Sequence, residues 1–156
     1  MKIAPRPLEG FQFFIDHGLK DFQAAAIIGG FMVEDYPDLR INAVGDKGTA
    51  KGLGQWHKLR MAALEGYAAK NGKSPFDFFT ELAFVLHEFD GTEKRAGKAL
   101  RASTTLEQAC DAMVGYERPA GWSAKTPRAV PSWQQRYDYA KAILAARTNT
   151  EKITGV

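Results

Sequence analysis

The chain has 156 residues, 45% of them hydrophobic and 25% charged, which is enough apolar material for one sizeable core and too much for a disordered chain. Its single cysteine, Cys110, excludes an intrachain disulfide and carries no mark of an oxidising compartment. The formal net charge of +3 and pI near 9.0 suit an anionic polymer, either nucleic acid or cell-wall glycan, without choosing between them.

In chain order, "PLEGFQFFIDHG" sets Phe11, Phe14 and Ile15 on one face and stops at Gly18, which predicts a first helix over Leu8–His17. Asp21 is expected to cap the second, "FQAAAIIGGFMVE", which is apolar nearly all round and should therefore run through the middle of the fold. Glu34 stands at its exit. The next segment, "DYPDLRINAVGDKGTAKGLG", carries four glycines, a proline and turn-forming Asn and Asp, and reads as an irregular loop or small β-hairpin with a tight turn at "GDKG". A third helix is expected from Gln55 to Ala69, and a further core helix, "PFDFFTELAFVLHEF", behind Ser74, Pro75 and Asp77, with proline at its first position.

Thr92 is placed to cap "EKRAGKALRA". Thr105 with Gln108 and Ser132 with Gln135 have capping-box spacing ahead of "LEQACDAMVGY" and "WQQRYDYAKAILAAR". The residues from about 148 read as a frayed tail, so the expectation is a single mainly α-helical domain over 1–156 whose small glycine-rich lobe forms a cleft with the helical body. "MKIAPRPLEGF" lacks the apolar stretch of a signal peptide, and no run approaches the ~18 apolar residues of a membrane span. The expectation is a chain made in the cytoplasm and not inserted stably in a membrane.

A glutamate at a helix C-terminus is electrostatically disfavoured, and apolar neighbours such as Phe31 and Met32 disfavour its ionised form further. A carboxyl held protonated in this way is what glycosidic cleavage needs to protonate the leaving oxygen. The plainer reading is a solvated glutamate at a helix end.

Residues 29–60, "GGFMVEDYPDLRINAVGDKGTAKGLGQWHKLR", resemble the phage tail lysozyme and endolysin group of the lysozyme-like superfamily. The group's signature is a helix-terminal Glu, then Asn-Ala-x-Gly-Asp, then Gly-x-x-x-Gly-(Leu/Ile)-x-Gln-Trp and an Arg. "NAVGDKGTAKGLGQW" follows it closely, "YERP" at 116–119 matches a second element, and "EDYPD" departs from the usual Glu-Ser-Gly.

The resemblance implies a lysozyme-like fold and a muramidase that cuts between N-acetylmuramic acid and N-acetylglucosamine, with Glu34 as general acid. Asp35, Asp38 and Asp46 are all candidates for a second carboxylate. Asp46 is favoured because the hairpin-like segment would face Glu34, and Thr49 would orient a water there. On a glycine-flanked loop, Asp46 is expected to stand far enough from Glu34 for a water, which implies inversion.

Gln55 has the donors and acceptor that suit an N-acetyl group, and Trp56 offers a flat face to a sugar or else belongs to the core. Tyr116 and Glu117 are expected to border the cleft and approach Glu34 from behind. Arg118 and Pro119 fix the loop that follows, and Trp122 and Trp133 pack. His17, His57 and His87 have no metal-ligand spacing, so neither metal nor cofactor is expected.

The basic "KRAGKALR" reads as a solvated face rather than a nucleic-acid site; the resemblance implies peptidoglycan as the partner, and a monomer is expected. The functional alternatives are a lytic transglycosylase, in which Glu34 alone serves as acid and base, and a non-catalytic wall-binding or tail component.

Overall fold

The computed structural model describes residues 1–40, 44–45 and 50–154, and in these the chain is mainly helical. In order it forms α1 (Pro5–Asp16), α2 (Asp21–Glu34), β1 (Val44–Gly45), β2 (Ala50–Lys51), β3 (Trp56–His57), α3 (Lys58–Lys70), α4 (Phe78–Phe89), α5 (Lys94–Ala102), α6 (Leu106–Glu117) and α7 (Trp133–Thr154). A 3-10 turn at Pro127–Ala129 precedes α7. The short strands pair antiparallel in the order β1-β2-β3, with Val44 opposite Lys51 and Lys51 opposite Trp56.

α2 is the central helix, as its all-round apolarity implies. It packs against α1, α6 and α7, and every residue from Gln23 to Met32 is buried. Phe11 and Phe14 of α1, Ile27, Ile28 and Phe31 of α2, Leu82 and Val85 of α4, Met113 and Val114 of α6 and Ile143 of α7 share its core. Each such side chain contributes about 1.5–3 kcal/mol by leaving water.

The helix ends differ from expectation in several places. The residue at the N-cap of α2 is Lys20, not Asp21; its N–H donates to Gln23 Oε1 (3.0 Å), while Asp21 sits in the first turn, where its charge complements the helix dipole. Gln23 is buried, and its amide reaches the Leu100 carbonyl (2.9 Å), tying the start of α2 to the end of α5. α4 starts at Phe78 with Asp77 as its cap, accepting from the Thr80 N–H (3.0 Å), so Pro75 falls in the preceding turn. Glu93, not Thr92, precedes α5 and makes no side-chain cap. Thr105 caps α6 as its spacing predicts, accepting from the Gln108 N–H (3.2 Å).

α3 begins three residues later than the sequence suggests, because Gln55 takes a positive φ of 48° and Trp56–His57 pair as a strand. α7 runs on to Thr154 beyond the expected end of order. No glycine or proline interrupts it before Gly155, and Thr148 Oγ1 donates back to the Leu144 carbonyl (3.1 Å).

Candidate active site

α2 ends at Glu34, which is exposed. The next residue turns the chain. Asp35 donates its N–H to the Phe31 carbonyl (3.1 Å), its own carbonyl accepts from the Leu39 N–H (3.2 Å), and Leu39 folds into the core with φ 54°. The buried Asp35 carboxylate accepts from Arg40 Nε (2.9 Å) and from the Arg40 backbone N–H. Of the alternatives for a second carboxylate, Asp35 is thus committed to its own turn, and Asp38 is exposed. Asp46 and Thr49 lie outside the described residues.

Behind Glu34, two glycines let α2 approach its neighbours. A Cβ on Gly29 would lie 2.8 Å from the Ala140 nitrogen and 2.9 Å from the Arg136 carbonyl, so the backbones of α2 and α7 meet there with no room for a side chain. A Cβ on Gly30, one turn before Glu34, would lie 2.8 Å from Glu117 Oε1 and 3.0 Å from Arg136 Nη1. Glu117 and Arg136 fill that space as an ion pair at 3.0 Å, with side chains 5% and 2% exposed, and Ser132 Oγ accepts from Arg136 Nε (3.1 Å). Burial works against the guanidinium, but Glu117 and, more weakly, Glu34 overcome it, and the Arg136 pKa is raised. Arg136 and Glu34 therefore attract each other across the helix face.

The β2–β3 turn, Gly52-Leu53-Gly54-Gln55, folds over the indole of Trp56. A Cβ on Gly54 would lie 2.6 Å from Trp56 Cε2, and one on Gly52 (φ 80°) would lie 3.0 Å from the same ring, which explains both glycines of "GLGQW". Trp56 is 1% exposed, and its Nε1 donates to Glu88 Oε1 (3.1 Å) and to the Tyr116 hydroxyl (3.3 Å). The stacking-platform expectation for Trp56 is corrected to the other reading, a core residue, because its ring is the floor of the turn.

Tyr116 is corrected in the same way. It is fully buried and donates to Glu88 Oε1 (2.6 Å), and burial next to that carboxylate holds its pKa well above the usual phenol range. Arg60 completes the cluster, donating to both Glu88 oxygens (2.9 and 3.0 Å) and to the Tyr116 carbonyl (3.2 Å). The Trp and Arg of the first motif and the Tyr of the second therefore meet on one carboxylate. Glu117 is likewise bonded to Arg136 rather than open to a ligand, and it lies behind the last turn of α2.

Gln55 is half-buried and its Nε2 donates to the Gly52 carbonyl (2.9 Å). Arg118 closes α6 in a left-handed conformation (φ 46°) and pairs with Glu93, in keeping with a loop-fixing role. Trp133 is buried, with Nε1 donating to Asp111 Oδ1 (2.9 Å), and Trp122 packs partly buried against the core. Cys110 is an inert core thiol, pushed up to about 12 by burial.

Three residues escaped the sequence reading. Glu81 and Glu88 of α4 are buried, and the available signal was their position, seven residues apart beside the apolar stripe of "FFTELAFVLHEF". Tyr36, two residues after Glu34, is exposed with its ring stacked on Tyr139 of α7 (centroids 5.3 Å, planes 9° apart). An aromatic beside the helix-end Glu34 was the signal there.

A cavity of about 680 Å³ lies apart from all of these, between α5, α6 and the following loop, floored by Ala96, Ala99, Ala112 and Gly115 and walled by Trp122. No residue of α2 or of the β2–β3 turn lines it. Among the described residues, no group of three or more His, Cys, Asp or Glu is set to hold a metal, and no helix is long and apolar enough to cross a membrane.

A search of the curated proteins finds no match to this chain. The family model for phage tail lysozyme matches residues 6–146, which takes in α1 through most of α7 together with both motif segments. With the match covering nearly the whole chain, the protein belongs to the phage tail lysozyme family.

Proposed function

We propose that the protein is a muramidase built as a single catalytic domain, cleaving the N-acetylmuramic acid to N-acetylglucosamine bond of peptidoglycan and acting on the bacterial cell wall after release or tail delivery. The observation that carries this is Glu34: an exposed carboxyl at the exit of the central helix, backed one turn earlier by the Glu117–Arg136 pair and followed by the glycine-rich lobe. Glu34 protonates the leaving oxygen. Glu117 offsets the pull that the Arg136 guanidinium behind the last helical turn exerts toward the ionised form of Glu34.

Asp46 is the second carboxylate of this reading. It steadies the oxocarbenium-like transition state or activates a water that Thr49 orients, and the wider spacing expected for a loop residue gives inversion. Gln55 contacts the N-acetyl group. The stacking face that Trp56 does not offer falls to Tyr36, whose ring is already steadied by Tyr139.

Glu34→Gln is expected to lower lysis of purified peptidoglycan by about a hundredfold or more with the fold intact, since general-acid catalysis is worth roughly 10²–10⁴ in rate. Near-wild-type lysis by the folded variant would remove Glu34 from the reaction. A second reading, a lytic transglycosylase with Glu34 as both acid and base, draws on the engagement of Asp35 by Arg40, which takes the nearest carboxylate out of reach. Mass spectrometry of the products separates the readings: reducing muramic acid ends mark the hydrolase, 1,6-anhydro ends the transglycosylase, and no products a binding or structural component.

A further inference from the structure

The β2–β3 turn is held from beneath by a carboxyl outside both motif segments. Glu81 Oε1 accepts from the Leu53 N–H (2.8 Å), and a Cβ on Gly52 would lie 2.5 Å from the same oxygen, so the turn is moulded directly onto the acid. Glu81 is fully buried, and its Oε2 has no hydrogen-bond partner among the described residues. We infer that Glu81 is a positioning residue that holds the Gly52–Gln55 turn as a neutral carboxylic acid, and that its ionisation releases the turn and Gln55 with it.

The chemistry of the pocket supports the neutral form. A carboxylate needs several donors around its two oxygens, and here, among the described residues, a single backbone N–H serves Oε1 while none serves Oε2. The proton belongs on Oε2, leaving Oε1 as the carbonyl that Leu53 binds. Burial pushes the acid up to about 8, against the lowering effect of the Leu53 bond, and Asp77 at the start of α4 adds to the rise.

No cation comes to its aid among the described residues. Arg6 of α1 lies over the Phe78 ring, Arg60 of α3 is taken by Glu88 and Arg101 of α5 by Asp90, while Lys51 and His57 of the hairpin are exposed. Once charged, Glu81 requires water, and the Gly52–Leu53 backbone covers its liganded oxygen. The consequence for glycan binding rests on the muramidase reading; the latch itself does not.

The test follows the Leu53 amide by NMR from about pH 6.5 to 9.5, with the KM and kcat for solubilised peptidoglycan measured over the same range. In the wild type the Leu53 resonance is expected to titrate with a midpoint near 8. Its exchange protection should fall about tenfold one pH unit above that midpoint, where ionised acid outnumbers neutral by about ten to one. KM should rise with it, while the kcat profile, which follows the general acid Glu34, should be the same in the wild type and in Glu81→Gln. Glu81→Gln should abolish the titration and keep KM flat, whereas Glu81→Ala should raise KM at every pH.

A Leu53 resonance that does not titrate, or that titrates equally in Glu81→Gln, overturns the inference. Titration with unchanged KM overturns the positioning role. If neither variant folds, the wild-type titration and KM profile decide alone. Absence of lysis at every pH beside an intact Leu53 titration would sink the muramidase reading and leave the latch standing.

Discussion

At the seam between α2 and α7, Glu117 is buried with the Arg136 guanidinium 3.0 Å away, whereas under the β2–β3 turn Glu81 is buried, among the described residues, with one backbone N–H and no cation. Glu88, on the same helix as Glu81, follows the first pattern, because Arg60 reaches both its oxygens and is itself held charged, its pKa raised against the effect of burial. Three carboxyls of similar burial thus divide by neighbour rather than by depth. A guanidinium pairs with the first and third, whereas among the described residues none reaches the second, and burial makes it an acid that holds its proton at neutral pH. The unpaired one puts a titration into the glycine-rich lobe.

The largest expected effect lies at the charged seam. Arg136→Met should destabilise the protein by about 3–5 kcal/mol in urea unfolding, because it strands Glu117 in the core, and Arg136→Met combined with Glu117→Leu should recover much of that loss. A double variant no more stable than the single would mean that the pair contributes through packing rather than through charge balance.

At the turn the effect is smaller and depends on pH. The folded pKa of Glu81 is about 8 against 4.5 in the unfolded chain, so folding takes up a proton between these values. The stability it contributes is full below pH 4.5 and declines as pH rises to about 8. Glu81→Gln should remove that slope, matching the wild type near pH 4.5 and exceeding it at pH 7 by up to roughly 3 kcal/mol, at ~1.4 kcal/mol per unit. A parallel pH–stability curve for the two proteins would show that the acid is ionised and solvated. The smallest effect is expected at the exposed Arg101–Asp90 pair (2.8 Å), where Arg101→Ala should change stability by less than about 1 kcal/mol and respond to salt. A larger loss there would show that surface charge carries more of the fold than the buried pairs imply.

Several features were legible in the order of residues alone. The apolar run from Phe22 to Met32, interrupted by Gln23 alone, marks a central helix because hardly any face of it could stay in water, and the glycine and proline content after Glu34 marks the non-helical lobe. Thr105 with Gln108 marks a cap, since both partners lie within one turn. Glu34 at the end of α2 was equally visible, and the two motif segments led to the family that the match over 6–146 establishes.

What the sequence left open was the direction of individual side chains. Trp56 offered a face to a sugar and Tyr116 was expected behind Glu34, yet they close on Glu88 from positions 32 and 28 residues away along the chain. Glu81 and Glu88 drew no reading from the sequence yet are buried, and Asp35 was a candidate second carboxylate until Arg40 folded back on it. Helix periodicity, capping and glycine-rich turns arise from interactions within a few residues, so they are written locally. Which carboxyl meets a guanidinium, and which is left with a proton, depends on surfaces that come together only when α4, α6, α7 and the hairpin pack, and that decision belongs to the tertiary structure.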